Sequence, residues 1–348
     1  DVLLDAEVYV KHENHQVLGA FKVRGGVNVV SRLTDEERER GIISSSTGNF
    51  GQGIAYAAVI FGVEAIVVVP TDVNPGKAES MRLLGANLVL HGNEFDEARA
   101  HAERLAKEGG YRYVHSANEP MLTAGTGTYT LEILEDLPDV DTVVVPYGGG
   151  GLSCGIAMAL RWLRPQARVL AVEVETAAPL SASLAAGRPV EVPHQPSFVD
   201  GIGAPFLLSE MWPLARELLA GSAVVGLDAI ADASRLLAQR HHVVAEGAGA
   251  APVAAAVIAA PVAVREPTRA LHARPMRPLQ EAAASGRRRV VEVGDRVVNT
   301  VQGGCLKFTG TDGVKGGWVL TEAAFAAAFD FTFDRCRSIV RFCSFLFD

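Results

Sequence analysis

An amine, a polar loop carrying an amide and a run of glycines are the three features of this chain whose residue types could do chemistry together. Lys22 stands in Gly19-Ala20-Phe21-Lys22-Val23-Arg24-Gly25-Gly26, behind an aromatic ring and among small residues, at the predicted junction of an extended segment and a helix. A lysine amine can capture an aldehyde. Taken alone, Lys22 reads equally well as a solvated helix residue, because lysine is almost never fully buried unless paired. Ser44-Ser45-Ser46-Thr47-Gly48-Asn49 offers hydroxyls and amides where a loop enters a helix, a setting for a carboxylate, and the Asn49 side chain can bond a phenolic oxygen. Its plainer reading is a helix N-cap. Gly148-Gly149-Gly150-Gly151 separates a buried-strand pattern from a helix. Successive N–H groups there can converge on a phosphate, helped by the partial positive charge of the helix N-terminus. The plainer reading is a flexible turn.

No Lys-Ser or Lys-Thr follows the glycine run, as a P-loop would require, and no G-x-G-x-x-G with a later acidic residue follows a suitable strand. The expected ligand therefore carries a single phosphate and needs no cation. An aldehyde for Lys22, a phenolic oxygen for Asn49 and one phosphate for the glycines are together the groups of pyridoxal 5'-phosphate.

The elements that must position these residues follow an alternating rhythm. Glu7-Val8-Tyr9-Val10 predicts a strand. Thr34 and Glu37 form a capping-box pattern for a short helix stopping near Gly41. Ile42-Ile43 leads into the serine loop, and an alanine-rich helix follows it as far as Gly62. Ala65 to Pro70 and Asp141 to Pro146 are apolar runs stopped by proline, the pattern of strands buried on both faces. Between them the chain predicts a helix over 75–84, a strand over 87–90, an amphipathic helix over 94–107 with alanines inward, a brief strand over 111–114 and a helix from about Thr126 to Glu135. Leu152 to Leu163 predicts a helix and Arg168 to Val174 a strand. Such alternation implies parallel sheets covered on both faces, with ligands at the carboxyl ends of the strands, where both polar-glycine loops fall. From about Ile258 the character changes: Pro261 to Arg289 is rich in Ala, Arg and Pro without helical period, Val290 to Asp295 is strand-like, Gly303 to Trp318 is glycine-rich and strand-like, and Cys336 to Phe347 is aromatic and apolar.

The chain of 348 residues has room for two domains. Its 49% hydrophobic and 21% charged residues are the balance of a packed protein rather than a disordered one. With net charge −8 and Arg287-Arg288-Arg289 as the only positive cluster, the sequence argues against nucleic-acid binding. Cys154, Cys305, Cys336 and Cys343 are scattered and form no C-x-x-C pair, which reads as reduced cytoplasmic thiols. No apolar run approaches the roughly 20 residues of a membrane span, and no signal peptide is read at the start.

The chain resembles the fold type II pyridoxal-phosphate enzymes, in the serine/threonine dehydratase (threonine ammonia-lyase) branch. The resemblance rests on Lys11-His12-Glu13-Asn14, Gly19 to Gly25, Ser46-Thr47-Gly48-Asn49-Phe50-Gly51-Gln52, Gly148 to Leu152, Val199-Asp200-Gly201 and Glu246-Gly247-Ala248-Gly249, and covers about Ala6 to Val257. It implies an α/β fold of two doubly wound parallel-sheet domains of the tryptophan-synthase-β-like type, with the cofactor in the cleft between them. Residues 1–26 and 126–260 would form the large cofactor-binding domain and 27–125 a small mobile domain that closes over the substrate. Residues 261–348 would be a tail that partly completes the large domain or is unrelated to it.

By the same resemblance, Lys22 is the catalytic Schiff-base lysine and Phe21 packs beside the cofactor ring. Asn49 bonds the ring's 3-hydroxyl, and Gly148, Gly149, Gly150 and Gly151, with Leu152 behind them, hold the phosphate. Gly201 and Glu246 border the ring and substrate, while Ser46, Thr47 and Gly48 take the substrate carboxylate. The reaction implied is β-elimination from L-threonine or L-serine, in which the freed Lys22 amine removes the α-proton and a 2-oxo acid and ammonia result. Threonine-synthase-like or β-replacement chemistry, serine racemisation and a non-catalytic remnant of the fold stay open as alternatives. The expected partners are a small amino-acid substrate and further copies of the chain in a dimer or tetramer, with no nucleic acid and no membrane.

Several departures from the family pattern stand out. Phe50 replaces the histidine usual after the Asn, and Thr47 stands where racemases of the family place a serine. Glu173 is present where some relatives bind a divalent cation, but Ala177 and Pro179 follow where another carboxylate would be wanted, so Glu173 and Glu175 read as strand-end charges and no metal is assigned. The hydroxyl that meets the pyridine nitrogen in the family has its nearest likeness in Val297 to Cys305, with Gln302 at the serine position. The family's opening strand and turn would fall ahead of Asp1.

Overall fold

A computed structural model of the protein describes residues 7–259 and 289–294. The Gln302 stretch, the Gly303 to Trp318 segment and the apolar ending at Cys336 to Phe347 lie outside the described residues. The described chain separates into two compact units, one of residues 7–21, 117–259 and 289–294 and one of residues 22–116.

In the order of the chain, the elements of the 22–116 unit are α1 (Lys22–Ser31), α2 (Asp35–Arg40), β2 (Ile42–Ser45), α3 (Asn49–Phe61), β3 (Ala65–Val69), α4 (Pro75–Leu83), β4 (Asn87–Leu90), α5 (Phe95–Gly109) and β5 (Arg112–Tyr113). The strands form one parallel sheet in the order β4-β3-β2-β5, with Ser45 of β2 beside Val68 of β3. β3 is buried along its whole length, as its apolar run requires, and its side chains alternate between two cores. Ile66 and Val68 pack with Ala98, Ala102 and Ala106, spaced four apart on α5, whereas Val67 and Val69 pack with Ala55 of α3 and Met81 of α4. Thr34 caps α2 in the reciprocal arrangement that its sequence predicts, its hydroxyl accepting from Glu37 N while the Glu37 carboxylate accepts from Thr34 N, and Gly41 ends the helix at a positive φ of +86°.

The larger unit contains β1 (Glu7–His12), a single 3-10 turn (Glu13–His15), α6 (Pro120–Asp136), β6 (Thr142–Pro146), α7 (Gly151–Leu163), β7 (Arg168–Val174), α8 (Pro179–Ala186), α9 (Trp212–Leu218), β8 (Gly221–Val225), α10 (Leu227–His241), α11 (Gly247–Ala259) and β9 (Arg289–Gly294). Its five strands are all parallel, in the order β1-β9-β6-β7-β8. The period-two alternation of β6 again feeds two cores: Val143, Val145 and Tyr147 enter the one shared with α6, α7 and α9, and Val144 the one shared with α10 and α11. β9 lies between β1 and β6, so a strand from the last third of the sequence joins the first strand to the rest of the sheet.

α6 begins six residues before the expected Thr126. Glu119 accepts a hydrogen bond from Met121 N as N-cap and Pro120 takes the first helical position, a start signal that the threonines and glycines of the following turns obscure.

Candidate active site

In the 22–116 unit the amine-bearing and amide-bearing segments are joined by a backbone contact that only glycine permits. Lys22 opens α1 and Asn49 opens α3. A Cβ on Gly26 would lie 2.5 Å from the carbonyl oxygen of Gly53, and one on Gly53 would lie 2.9 Å from the carbonyl oxygen of Lys22. The two helices therefore touch backbone to backbone, and the start of α1 is fixed one turn from the start of α3. Lys22 and Asn49 are both half-buried.

The loop before α3 is built from β2. Ser44 and Ser45 are consumed by the sheet, their hydroxyls donating to Val114 O at 2.8 Å and Val68 O at 3.1 Å. Ser46 Oγ turns the other way and accepts from the amides of Gly48 at 3.3 Å and Gly51 at 3.0 Å, which satisfies part of the exposed N-terminus of α3. Thr47 and Gly48 remain half-buried, and a side chain on Gly48 would meet nothing within 4 Å, so the mouth of this helix is open. Phe50, where the family pattern has histidine, is buried.

The glycine turn of the larger unit follows β6 and starts α7. Its four glycines are not equivalent. Gly150 is the N-cap, left-handed at φ +88°, and a Cβ there would be strained and would stand 2.8 Å from Tyr147 Oη. A Cβ on Gly148 would lie 3.2 Å from Gly201 O, and one on Gly149 3.1 Å from Ala117 Cβ. Gly151 has no neighbour closer than Thr123 Oγ1 at 3.7 Å. α7 has no side-chain cap, and Leu152, its second residue, is buried in the adjoining core. Gly201 and Glu246 come together beside this turn: a Cβ on Gly201 would be 3.3 Å from Glu246 Oε1 and 2.8 Å from Ala248 Cβ. Phe21 is buried, with its ring edge-on to Tyr129 at 6.4 Å.

Three features carry more than the sequence reveals. Glu173 and Glu175 are not idle strand-end charges. Glu173 is buried and accepts from Leu180 N, Ser181 N and Ser222 Oγ at 2.7–2.8 Å, capping α8, and Glu175 accepts from Leu227 N at 2.7 Å, capping α10. Burial pushes the Glu173 carboxyl above its ordinary range, opposed by those three bonds. Lys11, in the Lys11-His12-Glu13-Asn14 motif, bonds the fully buried Glu13 at 3.0 Å and Glu132 of α6 at 2.5 Å, anchoring β1 just ahead of the Phe21 turn. Tyr147, immediately before the glycines, is buried with a hydroxyl that makes no hydrogen bond among the described residues. Among the described residues no three His, Cys, Asp or Glu side chains group as metal ligands, and no helix is long and apolar enough to cross a membrane.

A family profile described as "Pyridoxal-phosphate dependent enzyme" matches residues 2–272. The chain belongs to that family. Over 249 residues it is 43% identical to an L-threonine ammonia-lyase of Thermotoga maritima, covering 72% of this chain and 62% of that one, and over 251 residues it is 39% identical to the biosynthetic L-threonine dehydratase of Escherichia coli K12, covering 72% and 49%. The chain thus spans between about half and two thirds of the length of these relatives. Among solved structures it is similar to maize serine racemase, with a TM-score of 0.76 at 27% identity, over 96% of this chain and 90% of that one. The two doubly wound parallel sheets expected from the sequence agree with this fold.

The residues present fit the family's cofactor. The start of α7, with no side-chain cap and a left-handed glycine as N-cap, has the donor chemistry that a phosphate group needs, and the α3 mouth offers a second helix N-terminus with open space beside Gly48.

Proposed function

We propose that this member of the pyridoxal-phosphate dependent family catalyses β-elimination from L-threonine, or L-serine, to a 2-oxo acid and ammonia. The observation that carries the reading is the Gly26–Gly53 crossing, which holds the amine-bearing helix start against the helix whose mouth carries Thr47, Gly48 and Asn49. Identity of 43% to an L-threonine ammonia-lyase supports the substrate class.

In this reading Lys22 Nζ would hold the cofactor through its aldehyde and would also be the base that takes the proton from the substrate's α-carbon. That transfer needs a neutral amine. Bound pyridoxal phosphate supplies the electron sink. Asn49 orients the ring through its phenolic oxygen, and the amides of Gly148 to Gly151, with Leu152 behind them, hold the phosphate at the start of α7. Phe21, Gly201 and Glu246 border the ring. The substrate carboxylate is taken by Thr47, by the amides that open α3 and by Ser46, whose oxygen already accepts two amides and whose O–H remains to donate. Residues 27–125 act as a small mobile domain that excludes water on closing. A cytoplasmic homo-oligomer is the form in which we expect the enzyme to work.

Purified protein given L-threonine and no second substrate should release 2-oxobutanoate and ammonia; no 2-oxobutanoate sinks the lyase reading. Wild type should absorb at roughly 410–420 nm when loaded, and Lys22→Ala should lack the band and lose at least ~10³-fold in rate. The similarity to maize serine racemase supports a second reading. Chiral chromatography after incubation with L-serine decides it: D-serine in excess of pyruvate would replace elimination by racemisation.

A further inference from the structure

Tyr147 is a polar side chain at the glycine turn that the reaction above leaves unused. It is only 2% exposed and sits in the core with Leu152, Cys154 and Met211, yet its hydroxyl, unlike those of Thr126 and Ser153, has no hydrogen-bond partner among the described residues. The oxygen lies 2.8 Å from the point where a side chain on Gly150 would begin. Gly150 in turn is the N-cap of the 13-residue α7 and provides no side-chain cap. A buried donor without an acceptor among the described residues therefore lies beside Gly150, the residue that opens α7 without a side-chain cap. Buried hydroxyls are rarely left unpaired, and helix N-termini favour anions.

We propose that the Tyr147 hydroxyl donates a hydrogen bond to the phosphate of the cofactor at the start of α7, which makes Tyr147 a further phosphate-positioning residue beside the four glycines. This rests on the reading of Gly148 to Gly151 as the phosphate cradle. Burial, together with the neighbouring Cys154 and Glu173, raises the phenol above its ordinary pKa, so the oxygen keeps its proton and can only act as a donor toward a phosphate. A side chain on Gly150 would displace this hydroxyl, a reason for glycine there that is separate from its left-handed backbone.

The test compares pyridoxal phosphate with pyridoxal, which lacks the phosphate, on apo wild type and Tyr147→Phe, by fluorescence titration. Tyr147→Phe should bind pyridoxal phosphate about tenfold more weakly and pyridoxal unchanged, with a shifted phosphorus NMR resonance for the bound cofactor. Its apo form should resist urea at least as well as wild type, since an unpaired buried hydroxyl has been removed. Tyr147→Met, which fills the same core position without a donor, should show the same selective loss. If wild type prefers the phosphorylated compound and both variants prefer it equally, the Tyr147 bond is overturned while the cradle stands. If wild type binds the two compounds equally, the cradle falls and this proposal with it.

Discussion

Two helix entrances, α3 in the 22–116 unit and α7 in the larger unit, solve the same problem in opposite ways. At α3, Ser46 Oγ accepts from Gly48 N and Gly51 N, so the chain itself satisfies part of the helix start, and the space beside Gly48 is open. At α7 there is no side-chain cap, three of the four glycines stand within 3.2 Å of a neighbour at their Cβ positions, and Gly150 is held left-handed. The first entrance is finished by the fold and leaves room for a group that comes and goes, as a substrate does. The second has no side-chain cap and is closely packed at its glycine Cβ positions, and the proposed function assigns it the resident phosphate. Polar loops that look alike as lists of small residues can thus serve a transient or a permanent ligand, according to whether their own side chains satisfy the helix start.

The contrast breaks most easily at Gly150. Gly150→Ala should cost roughly 1–3 kcal/mol from the left-handed backbone alone, beyond the clash with Tyr147 Oη, and should abolish cofactor retention on gel filtration. Gly151→Ala, with its nearest neighbour at 3.7 Å, should leave apo stability within about 0.5 kcal/mol of wild type. Equal urea midpoints for the two variants would show that the four glycines are interchangeable and remove the basis of the comparison.

A smaller effect is expected at the other entrance. Ser46→Ala should lower stability by about 1 kcal/mol, because two amides lose their acceptor, and should leave affinity for pyridoxal phosphate over pyridoxal untouched. A loss of phosphate preference in this variant would mean that the two entrances are not separate in function.

The mildest test reads the first turn of α7 through Cys154, whose amide donates to Gly150 O at 2.9 Å. Burial pushes its thiol up to about 12. The raised value keeps the thiol neutral where an ordinary one has ionised, so labelling of the folded protein, followed by mass spectrometry of the Cys154 peptide, should still be accelerating above pH 9, where an ordinary thiol has levelled off. By linkage, the stability this thiol contributes is full below the ordinary thiol range and is lost as pH rises toward about 12. Cofactor should slow the labelling. A plateau near pH 9 would mean that α7 opens at its start as readily as an unfolded segment.

Much of the fold was legible because its signals are local. The apolar runs Ala65 to Pro70 and Asp141 to Pro146 could only be strands covered on both faces, and Thr34 with Glu37 could only start a helix of the kind seen. The start of α6 was less legible, since its Glu119-Pro120 signal precedes a stretch of threonines and glycines with weak helix propensity. Glu173 and Glu175 were misjudged as plain charges for a different reason. Their partners, Leu180, Ser181, Ser222 and Leu227, lie up to 52 residues away and meet them only when the strand ends and helix starts are assembled.

By itself the sequence determined the inventory: one amine behind a ring, an amide-bearing loop, a glycine run after a buried strand, and the alternating elements that put both loops at carboxyl ends of strands. Those are matters of residue type and short-range pattern, which the chain carries wherever it folds. Only the tertiary structure decided which small residues matter and why. Gly26 and Gly53 prove to be a backbone crossing that ties Lys22 to the α3 mouth, Ser46 proves to be partly spent on its own helix, and Tyr147 proves to be a buried hydroxyl against Gly150. The Gly26–Gly53 crossing depends on what lies within 3 Å between two packed helices, and no spacing along the chain encodes that distance.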